Sequence, residues 1–145
     1  MPPVDFHVLA GTESRARGRF ACREIEKAFL ADQTVLVWCD SETEAAALDE
    51  LLWTFADRSF VPHELLTPES SWEETPVLIS AAASPPAPPQ VLVNLAAGMP
   101  PGIDTAGRVI EIIDADPARR QAGRARFRRY RELGIEPTTH NVSAD

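Results

Sequence analysis

The sequence predicts a Rossmann-like α/β fold, in which a mostly parallel sheet is flanked by helices. Short apolar segments rich in β-branched residues alternate with longer segments of helical periodicity. The segment 35–38 is apolar throughout, which is typical of a central strand covered on both faces. Strands that alternate with helices indicate parallel pairing through crossover connections. The whole chain, residues 1–145, is predicted to form one such domain.

Five strands and a first helix are predicted from apolar spacing. The strands cover residues 4–10, 34–39, 76–80, 90–95 and 108–113. The first helix covers residues 13–31, with Thr12 as its candidate cap. A second helix begins after Ser41, because Ser41 and Glu44 form a capping-box pattern, and it ends near Phe55. Strand, helix, strand, helix, then further strands and a closing helix is the order of an α/β protein.

The third predicted helix concentrates positive charge. Asp114 and Asp116 are candidate caps before Pro117, and Gly134 ends the helix. The segment 117–133 holds seven arginines and one acid, so it carries +6 while the rest of the chain carries −14. With a net charge of −8, the chain is a poor candidate for coating nucleic acid through bulk electrostatics. We therefore expect a compact anionic partner for this helix.

On a helical wheel, one face of the third helix is basic. Within about 80° of each other lie the arginines of this stripe: Arg120, Arg124, Arg128 and Arg131. The apolar side is predicted to consist of Ala118, Ala122, Tyr130 and Leu133. Phe127 lies at the border between the basic and apolar faces, where an aromatic ring could form the apolar floor of a pocket. Arg119 and Arg126 fall on the apolar side, and nothing in the sequence accounts for them.

An acidic peptide with a free terminal carboxylate would use both the charge and the apolar border of this helix, because guanidinium groups pair with carboxylates. Two alternatives stay open at this point. The stripe could be a solvated face, or it could bind single-stranded nucleic acid directly.

A second candidate surface follows the second helix. The apolar stripe of that helix consists of Ala45, Leu48, Leu52 and Phe55. Trp53 projects about 140° away from Leu48, and Phe60, Val61 and Pro62 follow closely. These residues could form an exposed aromatic patch of the kind that anchors protein interfaces. The alternative is that the following loop folds back and buries them.

No catalytic residue, metal site or cofactor is predicted. The loop 10–18 has neither GxGxxG nor the P-loop pattern, so a nucleotide-binding enzyme is an alternative supported only by analogy of fold. The histidines have no metal-ligand spacing: His7 is placed within a strand, His63 in a loop and His140 in the tail. No serine lies in a GxSxG elbow.

The cysteines, the lengths of the apolar runs and the N-terminal segment indicate the cellular compartment. Cys22 and Cys39 lie in apolar stretches, which is typical of buried free thiols in a reducing compartment. No run is long enough to cross a membrane, and the N-terminus lacks the pattern of an export signal. A soluble protein of the cytoplasm is therefore expected.

Four motifs occur in order along the chain. They are Val-Leu-Val-Trp-Cys-Asp at 35–40, Leu-Asp-Glu-Leu-Leu-Trp at 48–53, Ser-Phe-Val-Pro-His at 59–63 and Arg-Ala-Arg-Phe-Arg-Arg-Tyr-Arg at 124–131. In this order they resemble the chi subunit of bacterial DNA polymerase III, an accessory protein of the clamp-loader complex. The resemblance implies a subunit without catalysis of its own, which links the clamp loader to single-stranded-DNA-binding protein on the lagging strand.

The resemblance also implies two partners and their sites. The acidic, phenylalanine-ended tail of single-stranded-DNA-binding protein would bind Arg124, Phe127 and Arg128, with Ile113 as an apolar wall. The flanking stripe residues Arg120 and Arg131 are included in this site. DNA would be contacted only indirectly, and no membrane is involved.

The psi subunit would bind the aromatic patch: Trp53, Phe60, Val61 and Pro62. A helicase-like protein that competes with psi for this patch is a further implied partner. The chain departs from the family pattern at two positions, because Phe127 and Arg128 stand where a tyrosine and a lysine can occur. The first change removes a hydroxyl group, and the second keeps the charge but changes its geometry.

Overall fold

The computed structural model describes residues 2–142, in which strands and helices alternate for most of the chain. In chain order the elements are β1 (Val4–Leu9), α1 (Ser14–Leu30), β2 (Val35–Trp38), α2 (Glu42–Thr54), β3 (His63–Leu65), β4 (Val77–Ser80), β5 (Val91–Asn94), β6 (Arg108–Ile113), α3 (Pro117–Glu132) and β7 (Thr138–Val142).

The strands form one seven-stranded sheet in the order β3-β4-β2-β5-β6-β1-β7. Every pairing between these strands is parallel, with Val35 opposite Val77 on one side of β2 and opposite Val91 on the other. Parallel neighbours need crossover connections. Helices lie in the connections β1–β2, β2–β3 and β6–β7, and irregular segments join β3 to β4, β4 to β5 and β5 to β6. The predicted Rossmann-like α/β class is confirmed.

Two apolar cores lie on opposite faces of this sheet. Helices α1 and α2 pack on one face, where Val35 and Val37 of β2 belong to the core. On the other face Leu36 joins the core that contains Tyr130 of α3. Because successive strand residues point to opposite faces, a strand with an apolar core on both sides must be apolar at every position. This requirement explains the uninterrupted apolar run of β2.

The predicted helix ends are largely confirmed. The Ser41 hydroxyl accepts a hydrogen bond from the Glu44 backbone N–H at 3.2 Å, and the Asp116 carboxylate accepts one from the Arg119 N–H at 3.0 Å. Gly134 follows α3 with a φ of 89°, a conformation that favours glycine. The prediction of Thr12 as the cap of α1 is wrong, since Glu13 holds that position without a side-chain capping bond.

Two strands were not predicted, and both lie at edges of the sheet. His63, predicted in a loop, belongs to β3 and is buried, with its Nε2 2.9 Å from the Asp49 carbonyl oxygen. His140, predicted in the tail, belongs to β7 beside β1. β3 has only three residues, and β7 is polar and largely exposed, so neither shows the apolar pattern of a strand.

Cys22 and Cys39 are buried free thiols, as predicted, and burial raises the pKa of each to about 12. Within residues 2–142, no helix is long and apolar enough to cross a membrane.

Candidate functional site: two interaction surfaces

A buried polar cluster joins α3 to the sheet. The Glu111 carboxylate on β6 is fully buried and accepts hydrogen bonds from Tyr130 Oη at 2.7 Å, from Asn94 Nδ2 at 3.0 Å and from Arg126 Nε at 3.0 Å. Arg126 also donates from Nη1 to the Ala97 carbonyl oxygen at 2.7 Å. Burial raises the pKa of Glu111, and the Arg126 guanidinium opposes that rise. The cluster sets the position and rotation of α3.

This cluster accounts for an arginine that the sequence left unexplained. Arg126 faces the sheet because it pairs with Glu111, and only 3% of Arg126 is exposed. The helical wheel placed Ala118 on the apolar side of α3, and this placement is wrong because Ala118 is exposed. The buried face of α3 consists of Gly123, Arg126 and Tyr130. One feature of the sequence indicates this pair: Glu111 is the only acid within the largely apolar segment 108–113.

The turn before α3 is held by a second ion pair. Arg119 donates from Nε and Nη2 to the two Asp114 oxygens, each at 2.8 Å. Asp114 also accepts from the Asp116 N–H at 3.1 Å, so it braces the turn, and the expectation that it caps the helix is wrong. Burial works to raise the pKa of Asp114, but the hydrogen bonds from Arg119 and Asp116 outweigh it and lower that pKa.

This ion pair makes stability depend on pH. Because the pKa of Asp114 is lower in the folded chain than its ordinary 3.8, the pair stabilises the fold above about pH 4 and is lost as pH falls through the folded value. We expect Asp114→Asn to lower the free energy of unfolding by about 1–2 kcal/mol at pH 7, with a smaller difference near pH 3. Urea denaturation across pH measures this, with the exposed Glu132→Gln as control. A difference independent of pH would contradict it.

The basic stripe of α3 divides into two pairs of arginines. Arg124 and Arg128 are exposed, and neither has an ion-pair partner within residues 2–142. Arg120 is half-buried and donates from Nε to the Asp114 carbonyl oxygen at 3.2 Å, while Arg131 Nε lies 3.2 Å from Glu136 Oε2. The first pair is therefore free to bind an anion, whereas the second pair already has partners in the chain.

The apolar residues beside the stripe belong to the core on the α3 face. Phe127 is half-buried and packs against Phe6 with 5.3 Å between ring centroids, and Ile113 is 8% exposed in the same core. A small cavity of about 90 Å³ borders Ile113, but its arginines are Arg17, Arg119 and Arg126. The structure thus brings Ile113 and Phe127 into one core, and it lines the Ile113 cavity with arginines that were not predicted for this site.

The aromatic patch of α2 and the following loop is exposed. Trp53 is 53% and Phe60 is 66% exposed, and their ring centroids are 5.9 Å apart. Trp53 also packs on the buried His63 ring at 4.4 Å. The alternative that the loop buries both aromatic rings is wrong. Val61 is 1% exposed, so its prediction as an interface residue is corrected to a core residue beneath the patch, and Pro62 is half-buried.

The carboxyl edge of the sheet is occupied by arginine side chains. Arg17 donates from Nη2 to the Leu95 carbonyl oxygen at 2.8 Å and from Nε to that of Ile112 at 3.2 Å. Arg126 bonds to Ala97 at the same edge. This is the crevice in which open α/β sheets hold their ligands. Within the described part of the chain, no group of three or more metal-ligating side chains is placed to hold an ion.

An all-parallel sheet with helices on both faces defines a Rossmann-like α/β protein, and solved structures share this fold. The C-terminal domain of the DEAD-box protein Dbp5 matches with a TM-score of 0.63 and 11% identity, over 96% of this chain and 90% of that one. T4 UvsW matches with a TM-score of 0.64 and 10% identity, over 98% of this chain and 42% of that one. At these identities the likeness concerns the fold alone.

The chain belongs to the family described as DNA polymerase III chi subunit, HolC, whose sequence profile matches residues 1–138. The DNA polymerase III subunit chi of Pseudomonas aeruginosa is 34% identical over 142 residues, which is 98% of each chain. The chi subunits of Haemophilus influenzae and Escherichia coli are 28% and 25% identical, covering 96% and 83% of this chain and 96% and 82% of their own lengths. The predicted resemblance is confirmed.

Proposed function

We propose that this chain, acting as one domain in the bacterial cytoplasm, is a non-catalytic adaptor of the DNA polymerase III clamp-loader complex. One surface binds the acidic C-terminal tail of single-stranded-DNA-binding protein, and the other binds the psi subunit. Membership of the chi family supports the assignment to the polymerase complex. The tail site is supported above all by Arg124 and Arg128, which are exposed cations without acidic partners in the described chain.

The tail site follows from the spacing of these two cations. Arg124 and Arg128 are one helical turn apart, so their guanidinium groups can contact neighbouring carboxylates of one peptide. Phe127 lies between them in sequence and keeps part of its ring exposed, which provides an apolar contact for the terminal phenylalanine of the tail. Ile113 supports this contact from the core, and Arg120 and Arg131 extend the positive field along the helix.

The psi site follows from the aromatic patch. Large aromatic side chains that stay exposed in a free subunit are the typical anchors of protein interfaces. Trp53 and Phe60 are the contacting residues, Pro62 lies at their border, and Val61 supports them from below. The same patch would receive the helicase-like competitor of psi.

The tail site is tested with an acidic peptide that ends in phenylalanine. Arg124→Ala and Arg128→Ala are each expected to weaken binding by about 1–3 kcal/mol, the value of a charge-assisted hydrogen bond, and to leave folding unchanged. Calorimetric titration at moderate salt measures the affinity, and the peptide with an amidated terminus should bind poorly. Arg129→Ala is the matched control, because Arg129 is exposed on the same helix outside the stripe.

Normal binding by both variants would contradict this site, as would equal affinity for the amidated peptide. A further comparison uses single-stranded DNA with no partner protein present. Retention on that DNA with a steep salt dependence would favour direct nucleic-acid binding in place of peptide capture.

A further inference from the structure

A second basic groove lies on the opposite face of the sheet from α3, beside helix α1. Its volume is about 520 Å³, and Arg15, Arg19 and Arg23 line one side of it. The three arginines are four residues apart, so they form one column on the helix, and all three are exposed. The salt bridges within the described residues include none of them.

The floor of this groove is apolar. Leu9 at the end of β1, Phe20 of α1 and Val142 of the edge strand β7 line it. Phe20 is held in place from two sides, because the His7 ring packs on it at 5.3 Å between centroids and the Arg23 guanidinium lies 5.9 Å from the centroid of the Phe20 ring. The groove thus combines a fixed apolar surface with a row of cations.

The charge of the groove selects an anionic occupant. The groove is lined by three arginines and one acid, Glu13, so it is positively charged. The chain as a whole has a net charge of −8. Like charges four residues apart repel each other on an isolated helix, so the column is less favourable when no anion is bound. The N-terminal end of α1 borders the groove as well, and a helix N-terminus carries positive partial charge.

The dimensions and the apolar floor favour a peptide over a nucleic acid. Eight residues of helix between Arg15 and Arg23 span about 12 Å, the length of about four residues of extended chain. A volume of about 520 Å³ lies within the ordinary range for ligand pockets. A phosphate backbone would leave Leu9 and Val142 without an apolar contact, whereas an acidic peptide with one apolar side chain uses both halves of the groove.

We propose that this α1 groove is a second peptide-docking site, which takes an internal acidic segment of a partner protein with its apolar side chain against Leu9, Phe20 and Val142. An internal segment offers side-chain carboxylates and no chain terminus. The α1 groove is therefore distinct in chemistry and in position from the tail site proposed on α3.

The test uses the isotopically labelled full chain and the blocked peptide acetyl-Asp-Asp-Leu-Asp-Asp-amide. Because this peptide lacks a free terminal carboxylate, it is a poor ligand for the α3 site. We expect its titration to shift the backbone amide resonances of α1 from Arg15 to Arg23 and of Val142. Arg19→Ala should weaken this binding about five- to tenfold, as loss of one charge-assisted contact does, while the matched control Arg129→Ala, an exposed arginine outside both sites, leaves it unchanged.

Three results would overturn the proposal. One is the absence of shifts in α1 at millimolar peptide, and another is a set of shifts confined to α3. The third is tighter binding of an eight-residue oligothymidylate than of the peptide at the same α1 residues, which would make the groove a nucleic-acid site. The first and third results leave capture of the free carboxylate by α3 untouched. The second concerns α3 as well, and comparison of the free and amidated tail peptides at α3 separates failure of the groove from failure of the proposed function.

Discussion

Replacement of Arg126 by methionine is expected to lower the free energy of unfolding by about 3–5 kcal/mol. Methionine fills most of the space but leaves the fully buried Glu111 carboxylate without its cation. A buried charge that loses its partner is strongly destabilising, because the interior offers no water to solvate it. Urea denaturation of the variant at neutral pH measures the loss.

Controls separate this effect from a simple change in packing. Arg126→Lys keeps the charge and should retain most of the stability, and it remains measurable if the methionine variant does not fold. In the Arg126→Met background, Glu111→Gln should restore part of the loss, since the neutral amide removes the unpaired charge. Arg129→Ala, exposed on the same helix, should change little. A loss below about 1 kcal/mol for Arg126→Met would contradict the role given to the buried pair.

Trp53→Ala is expected to lower the affinity for the psi subunit at least 30-fold, which is about 2 kcal/mol or more. A large aromatic residue in the centre of an interface typically contributes this much. Because Trp53 is 53% exposed in the free chain, thermal stability should change little. Binding of the acidic tail peptide should also be unchanged, since α3 packs on the opposite face of the sheet. Titration with psi and a melting curve measure both effects.

Leu30→Ala is the matched control for Trp53. Leu30 is 70% exposed at the end of α1, so this variant removes exposed apolar surface outside the patch and should leave psi binding unchanged. A large drop in melting temperature for Trp53→Ala would instead identify Trp53 as a structural residue that holds His63. Normal psi binding by the variant would remove the patch from the proposed interface.

The elements with strong local signals were predictable. β2 is apolar at every position because apolar cores lie on both of its faces, so its consecutive residues alone predict a central strand. Ser41 and Asp116 cap their helices through backbone groups only three residues away. The exposed position of Trp53 also followed from its angle to Leu48 on one helix. Each of these features depends on neighbours within a few turns of the chain.

The features that were missed depend on distant residues. β7 is polar and is a strand only because β1 offers it hydrogen bonds across more than one hundred residues of chain. Arg126 looked anomalous on the apolar side of α3 until Glu111 and Asn94 from two strands supplied its surroundings. The α1 groove also depends on β7, because Val142 of this edge strand lines it together with Phe20 of α1.

The sequence by itself determined the α/β class, the capping residues of α2 and α3, the basic character of α3 and the family to which the chain belongs. These properties are local, since they depend on periodicity, capping residues and short motifs. Only the tertiary structure decided which arginines stay free to bind a partner. Arg126 is neutralised by Glu111 and Arg119 by Asp114, whereas Arg124 and Arg128 face solvent. A guanidinium group is available for binding only where packing brings no carboxylate within reach. The packing of α3 and the turn before it against the sheet sets that distance, and the spacing of arginines along the helix does not reveal it.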